Sequence, residues 1–164
     1  LELLAVGQRP PDWVQTGFQT YAKRMPAHLP LSVRSVAAGD ARRGGDVARA
    51  QRQEADALLA AAPKGAQLIA LDERGRSWRT ADLADYLQTQ MQQGVDLAFL
   101  IGGADGLHQR CLDSAERQWS LSALTLPHML VRVVVAEQLY RAWTLLAGHP
   151  YHRGGSPDCA RRPL

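Results

Sequence analysis

The sequence predicts an α/β protein in which a mostly parallel sheet carries helices on both faces. Short apolar runs of strand length alternate with longer segments of helical periodicity from one end of the chain to the other. With 164 residues, the chain is long enough for one domain with a substantial core. We predict a single domain over residues 1–153. Residues 154–164 have turn composition and are expected to form a disordered tail, either natural or added artificially.

The first half of the chain predicts two strands and two helices. Residues 1–7 are apolar and end in glycine, which is typical of a strand. Asp12 follows two prolines and begins a helix with an apolar face made of Trp13, Val14, Phe18 and Tyr21. Residues 31–36 fit a second strand. After a polar, glycine-rich loop at 39–46, the Ala- and Gln-rich residues 47–62 predict a second helix.

The second half continues the same alternation. Residues 67–72 predict a third strand, and Thr80 is a suitable N-cap for a helix that Gly94 closes. Residues 95–101 form the most strand-like run of the chain. The remaining elements are a short helix within 108–117, a brief strand at 118–121, and a long apolar helix over 130–147 that Gly148 and Pro150 end.

Composition limits the function only loosely. The net charge is +3, carried by 17 Arg and 2 Lys, which is compatible with nucleic acid but does not establish it. The two cysteines, Cys111 and Cys159, cannot form a disulfide framework or a zinc site of their own, so we expect a cytoplasmic protein without a metal. We expect no membrane partner, since no apolar run reaches the length of a span. Because the chain begins with Leu1, its natural start is expected to lie upstream.

Three strand ends are candidate ligand sites, because parallel sheets bind ligands at the carboxyl ends of their strands. The first end is at 71–75. The second, at 101–106, is glycine-rich but matches neither G-x-G-x-x-G nor a phosphate loop, so it fits a plain tight turn as well as a cofactor loop. The third, at 121–128, is apolar for a loop. It is either core or the wall of a pocket that could stack an adenine ring and read its edge with backbone groups.

The third strand end also carries a family resemblance. Residues 119–128 (WSLSALTLPH), followed by VRV and AEQLYRA within 131–142, resemble the pseudouridine N3-methyltransferases of large-subunit rRNA in the SPOUT superfamily. Further similar segments are AVG at 5–7, PDWV at 11–14, LIGG with Gly106-Leu107 at 100–107, and HPYHR at 149–153. The resemblance covers residues 1–153 in order.

This resemblance implies more than periodicity can show. It implies a SPOUT fold with a carboxy-terminal trefoil knot and S-adenosylmethionine bound in the knot at a homodimer interface. It also implies methylation of N3 of a pseudouridine in a stem-loop of 23S rRNA, on the assembled ribosome. The cofactor contacts implied by position are Leu71, Gly102, Gly103, Leu121, Ser122, Ala123, Leu124, Thr125 and Leu126. They lie in the three strand ends selected above.

The candidate catalytic residues are Glu137, Tyr151 and His152. Methyl transfer from a sulfonium needs no metal, but the N3 proton must leave, and a nearby base would help. Glu137 could equally form an i,i+4 ion pair with Arg141 on the helix surface. The terminal segment with Tyr151, His152 and Arg153 could be frayed, but a Tyr can stack on an unpaired base and an Arg can hold phosphate.

The candidate RNA contacts are Arg42, Arg43, His128, Arg132 and Arg153. Arg42 and Arg43 belong to the densest positive stretch, which could also be a merely solvated face, and His128 could instead begin a helix or pack in the core. The sequence bears differently on two rival functions. A nucleotide-binding or redox domain would show a glycine fingerprint after the first strand, and none follows Gly7. A non-catalytic RNA-binding or ribosome-assembly protein on the same fold stays open.

Overall fold

Strands and helices alternate along the chain as the sequence predicts. The computed structural model describes residues 1–40 and 44–151. In chain order, the elements within these residues are β1 (Glu2–Val6), α1 (Asp12–Ala22), β2 (Ser32–Val36), α2 (Val47–Ala61), β3 (Gln67–Ser77), α3 (Thr80–Gln93), β4 (Leu97–Ile101), α4 (Gln109–Ser114), β5 (Arg117–Ser120) and α5 (His128–Leu146). Predictions for Arg42, Arg43, His152, Arg153 and residues 154–164 lie outside the described residues.

The described strands form one sheet in the order β2-β1-β4-β3-β5, and every pair in it is parallel. β4 is the central strand, and all five of its residues are buried. This agrees with its unbroken apolar sequence, because a strand covered on both faces has no polar side. Since the strands are parallel, their carboxyl ends all lie at one edge of the sheet, which is where the predicted site belongs.

Helices cover both faces of the sheet, which confirms the predicted fold class. α1, α3 and α5 pack on one face and α2 and α4 on the other, each over its own core cluster. Side chains of β4 alternate between the two clusters: Phe99 joins the first and Leu100 the second. In the part of the chain described, no helix is both long and apolar enough to span a membrane. The carboxy-terminal knot stays a prediction.

β3 is longer than predicted, because it continues past Asp72 to Ser77. Trp119 of β5 is the register partner of both Leu71 and Arg76, so the residues between them leave the ladder and return to it. A Cβ on Gly75 would lie 2.7 Å from the carbonyl carbon of Gln118, so only glycine lets the two backbones approach this closely. Because the residues of this extension are polar, the apolar pattern of the sequence does not predict that the strand continues past Asp72.

Two helix starts also differ from the prediction. α3 has Arg79 rather than Thr80 as its N-cap, because the Asp82 carboxylate accepts hydrogen bonds from the Arg79 backbone N–H at 2.9 Å and from its guanidinium. The Thr80 hydroxyl is then free to donate to Gln138 of α5, at 2.9 Å. α5 begins at His128, two residues earlier than predicted, directly after Pro127.

Candidate active site

The three predicted strand ends meet around one cleft of about 810 Å³. It lies at the carboxyl ends of β3, β4 and β5, and its volume is in the range of small-molecule sites. Of the residues predicted to contact a cofactor, those that line the cleft are Leu71, Gly102, Gly103, Leu121, Ser122, Leu124, Thr125 and Leu126. Ala123 lies in the same loop, exposed, and is not part of the lining.

The glycine-rich turn after β4 forms one wall of the cleft. The Gly106 N–H donates to the Gly103 carbonyl at 3.1 Å, and Gly106 has a φ of 77°, which favours glycine. A Cβ on Gly102 would lie 2.5 Å from the carbonyl carbon of Gly106. The segment is therefore a tight turn, and it also presents its backbone to the cleft. A plain tight turn and a ligand-binding loop, the two alternatives that the sequence left open for 101–106, are therefore compatible in this geometry.

The apolar loop after β5 forms the opposite wall rather than part of the core. Leu121 and Leu126 are half-buried, and Leu124 is 73% exposed. The loop is held by two local hydrogen bonds: the Ser120 hydroxyl donates to the Ser122 carbonyl at 3.0 Å, and the Leu124 N–H donates to the Ser122 hydroxyl at 2.9 Å. Apolar side chains thus line an open space, which leaves them available to a ligand.

Polar groups of the strand end at 71–75, to which the sequence assigned no individual role, line the cleft together with Thr125. The Thr125 hydroxyl donates to Glu73 at 2.9 Å, which joins the end of β3 to the apolar loop. The guanidinium and the backbone N–H of Arg74 donate to Asp72 and hold the pKa of this carboxyl below its usual value, so Asp72 is ionised at neutral pH. Asp72, Glu73 and Arg74 lie where β3 leaves the ladder between Leu71 and Arg76, within the segment 71–75 that the sequence selected.

A link between α2 and the glycine turn is a further feature that the sequence did not reveal. The Gln51 side-chain amide donates to the Asp105 carbonyl at 2.7 Å, across 54 positions of the chain. Such a contact depends on packing alone, since nothing in the local pattern of α2 marks Gln51. It ties α2 to one wall of the cleft.

Glu137 and Tyr151 come together, but away from the cleft. Glu137 lies about 14 Å along α5 from His128, which is at the cleft. Its carboxylate accepts hydrogen bonds from Arg141 Nε at 2.8 Å, from the Gln138 amide at 2.6 Å and from the Tyr151 hydroxyl at 3.2 Å. The i,i+4 pair with Arg141 weighed from the sequence is therefore present. Neither Glu137 nor Tyr151 lines the cleft of its own chain.

Tyr151 packs against α5 rather than extending into solvent. Its ring meets Tyr140 edge-on at 4.8 Å between centroids, and the Arg141 guanidinium lies 5.0 Å from its centroid. Burial, together with hydrogen bonds and the nearby Glu137 charge, raises the pKa of Tyr151 to about 12. Its phenol is therefore protonated at neutral pH and acts as a hydrogen-bond donor to Glu137.

The two remaining predicted RNA contacts lie in different environments. His128 is half-buried at the rim of the cleft, where α5 begins. Arg132 is only 2% exposed, and its guanidinium donates to the carbonyls of Val6 and Gly7 at 2.7 and 2.8 Å. It also donates to the Ser35 hydroxyl at 3.0 Å. A side chain so engaged ties β1 and β2 to α5, and this placement does not support the predicted RNA contact.

Within the described part of the chain, no three His, Cys, Asp or Glu side chains are grouped as a metal site would require. The groups that converge on the cleft are instead backbone amides, aliphatic side chains and a few hydroxyls and carboxylates. This donor set suits an organic ligand with an aromatic ring and hydroxyl groups.

Solved structures share the fold at low sequence identity. One is a protein of Haemophilus influenzae Rd KW20 described as a probable methylase family protein. It is 11% identical, the similarity covers 92% of this chain and 68% of that one, and the TM-score is 0.53. Another, from Neisseria gonorrhoeae and also described as of the methylase family, is 14% identical over 85% of this chain and 80% of that one, with a TM-score of 0.51. At such identities the likeness supports the fold alone.

The family assignment comes from the sequence as a whole. The family described as "Predicted SPOUT methyltransferase" matches residues 1–152, which is nearly the entire chain. The match includes all three strand ends that line the cleft, together with α5 and Tyr151. The chain therefore belongs to the SPOUT methyltransferase family.

Proposed function

We propose that this protein is an S-adenosylmethionine-dependent enzyme that methylates N3 of a pseudouridine in a stem-loop of 23S rRNA on the assembled ribosome. The observation that carries the proposal is the cleft at three parallel-strand ends, walled by a glycine turn and an apolar loop, in a chain of this methyltransferase family. The choice of base and of RNA rests on the sequence resemblance at 119–142.

The residues of the cleft fit S-adenosylmethionine. Leu121 and Leu126 offer aliphatic surface to an adenine ring, and the backbone of their loop offers donors and acceptors to its edge. The carboxylate of Glu73 suits hydroxyl groups and positive charge, while Asp72 is held in its ion pair with Arg74. The cofactor supplies a methyl group that its positive sulfur already activates, so the protein mainly has to align the reacting atoms and exclude water.

The proton on N3 must leave as the methyl group arrives, and Glu137, Tyr151 and His152 remain our candidates for assisting it. Glu137 and Tyr151 do not line the cleft of their own chain, so a second subunit would have to bring its copies there. We therefore include the homodimer in the proposal. Several apolar side chains of α5 are only half-buried, namely Met129, Leu130, Val131, Val133, Val134, Trp143, Leu145 and Leu146. A helix that is apolar on nearly every side favours a covering partner.

RNA contacts are proposed on the rim and on the positive loop before α2. His128 lies at the rim of the cleft, while Arg42, Arg43 and Arg153 are proposed from the sequence alone. Arg132 is omitted, because its guanidinium is buried against β1. Reversing the charge of Arg42 and Arg43 should weaken RNA binding most strongly at low salt. Unchanged RNA binding would remove these two residues from the interface.

Calorimetry and nucleoside analysis test the proposal together. Isothermal titration should detect binding of S-adenosylmethionine and of its demethylated product. Mass spectrometry of 23S rRNA nucleosides from a strain lacking the protein should show loss of one N3-methylated pseudouridine, restored by the wild-type gene. Absence of cofactor binding would instead favour the non-catalytic RNA-binding or ribosome-assembly function.

The substrate side is tested by two substitutions. Tyr151→Ala and His152→Ala should lose methylation and keep their affinity for S-adenosylmethionine, since neither residue is proposed to contact the cofactor. His149→Ala, in the same segment but not proposed for catalysis, is the matched control. Normal methylation by both variants would show that the terminal segment has no such role.

A further inference from the structure

A second cleft, of about 560 Å³, lies beside the cofactor cleft. Three arginines contribute to its lining (Arg74, Arg76 and Arg117), as do the rings of Trp78 and Tyr86. It forms where the extension of β3 and the start of β5 meet α3. We call it the Arg76–Arg117 cleft. Of the strand ends selected from the sequence, only the one at 71–75 reaches it, through Arg74 and Gly75.

The solvent-exposed part of this cleft, at Arg76 and Arg117, carries positive charge. Arg74 is paired with Asp72, and the Asp82 carboxylate is paired with Arg79. Arg76 and Arg117 are exposed, and neither forms an ion pair with another described residue. Their guanidinium groups are therefore available to an anion, although the carboxylates of Asp82, which is near Arg76, and of Glu116 also belong to the lining. Guanidinium groups bind phosphate in a bidentate manner, which suits a nucleic-acid backbone.

An aromatic platform adjoins these cations. Trp78 stacks on Trp119, with ring centroids 5.4 Å apart and planes 17° from parallel, and its ring is 5.3 Å from that of Tyr86. Trp119 is buried, whereas Trp78 stays half-exposed and lines the cleft. Accessible ring surface beside arginines is the combination that holds unpaired nucleotides, because rings stack on bases and cations contact the phosphates between them.

The cleft adjoins the cofactor cleft through Arg74. Arg74 lines both, and Trp119, which lines the cofactor cleft, is the register partner of Arg76. A strand whose base enters the cofactor cleft would therefore meet the β3 extension next, and then Arg76 and Arg117. An acidic protein segment would match the charge as well, but it would not use the ring of Trp78.

We infer that the Arg76–Arg117 cleft binds the RNA strand that flanks the methylated base, with Arg76 and Arg117 contacting phosphates and Trp78 offering a stacking surface. The inference rests on the proposed function, because it assigns a second part of the same substrate. It differs from the contacts proposed at Arg42 and Arg43, which lie before α2.

The test compares two double variants of equal charge change. Arg76→Gln/Arg117→Gln removes the two free cations of the cleft, and Lys23→Gln/Lys64→Gln removes two exposed lysines elsewhere. With assembled ribosomes as substrate, the arginine variant should raise KM at least about 10-fold with kcat nearly unchanged. The salt dependence of log(kcat/KM) should lose about one unit of slope for each phosphate contact removed, or about two in all. The lysine variant should match wild type.

Two further measurements separate the possible failures. Calorimetry with S-adenosylmethionine should give equal affinity for both variants and wild type, and melting curves should show that the arginine variant is folded. Unchanged KM and salt slope in the arginine variant would overturn the inference while leaving the proposed function intact. If wild type methylates no ribosome, the proposed function fails, and co-sedimentation of the same variants with ribosomes then decides the inference alone.

Cross-linking distinguishes RNA from protein as the occupant. Replacing Arg76 by the photoreactive residue p-benzoylphenylalanine and irradiating the complex with ribosomes should give a covalent adduct with 23S rRNA. An adduct with a ribosomal protein and none with RNA would show that the cleft binds an acidic protein surface, which would also overturn the inference.

Discussion

The two ends of α5 lie in contrasting environments. At its start, His128 and the loop before it border an open cleft, where Leu124 is 73% exposed and Leu121 and Leu126 are only half-buried. Nine residues further, both oxygens of Glu137 accept hydrogen bonds from Arg141, Gln138 and Tyr151. Loops at strand ends leave backbone groups and space that a ligand can use. Side chains three or four residues apart on a helix instead form hydrogen bonds and ion pairs with one another. The cleft at the start of α5 can therefore bind a ligand more readily than the region around Glu137.

The largest expected loss of stability comes from Gly102→Ala in the cleft wall. The new methyl group would lie 2.5 Å from the Gly106 carbonyl carbon, and rotation of a side chain cannot relieve a clash with backbone. We expect the free energy of unfolding to fall by about 1–3 kcal/mol, and affinity for S-adenosylmethionine to fall at least about 10-fold as the turn shifts. Gly44→Ala is the control, because its Cβ would meet nothing within 4 Å. Unchanged affinity measured by calorimetry would contradict a role of this turn in cofactor binding.

Arg132→Met should be the next largest, and it should act on stability rather than on RNA. Methionine fills similar space but leaves the carbonyls of Val6 and Gly7 without these donors, at about 1–3 kcal/mol for a buried group left unpaired. Denaturant unfolding measures the loss, with the exposed Arg52→Met as control. A variant with wild-type stability and weakened ribosome binding would restore the predicted RNA contact.

Glu137→Gln tests whether Glu137 serves only in an ion pair or also acts as a catalytic carboxylate. Loss of the pair with Arg141 should lower the free energy of unfolding by only about 0.5 kcal/mol, as is usual for i,i+4 pairs. If this carboxylate assists removal of the N3 proton, single-turnover methylation should fall by about 100-fold or more with cofactor affinity unchanged. We expect a large fall in the methylation rate together with a small fall in stability. A methylation rate equal to that of wild type would leave Glu137 as a structural residue only.

The smallest effect is that of Tyr151→Phe on alkaline stability. The pKa of Tyr151 is about 12 in the folded protein, above its ordinary value of 10.0, so folding favours the protonated phenol. Its contribution is fully present below pH 10 and is lost as pH rises from 10 towards 12. The difference in melting temperature between wild type and variant should therefore shrink over this range. Ultraviolet titration should also lose one tyrosine that ionises near pH 12, and a variant with an unchanged titration curve would contradict this assignment.

Much of the cleft was predictable because it follows from chain direction. Parallel strands place all their carboxyl ends at one edge, so the ends at 71–75, 101–106 and 121–128 had to converge once the sheet was parallel. The Arg76–Arg117 cleft was not predictable in the same way. It depends on the return of β3 to the ladder beside Trp119, and the polar residues of that extension carry no strand pattern.

Local sequence by itself determined the order of elements, the buried central strand and the segments that line the cleft, because periodicity and glycine act over a few neighbouring residues. Only the tertiary structure decided what each charged side chain does. Arg132 and Arg117 are the same residue type, yet one lies under the carbonyls of β1 and the other in solvent beside Trp78. The difference comes from partners far away in the chain, whose positions no local pattern specifies.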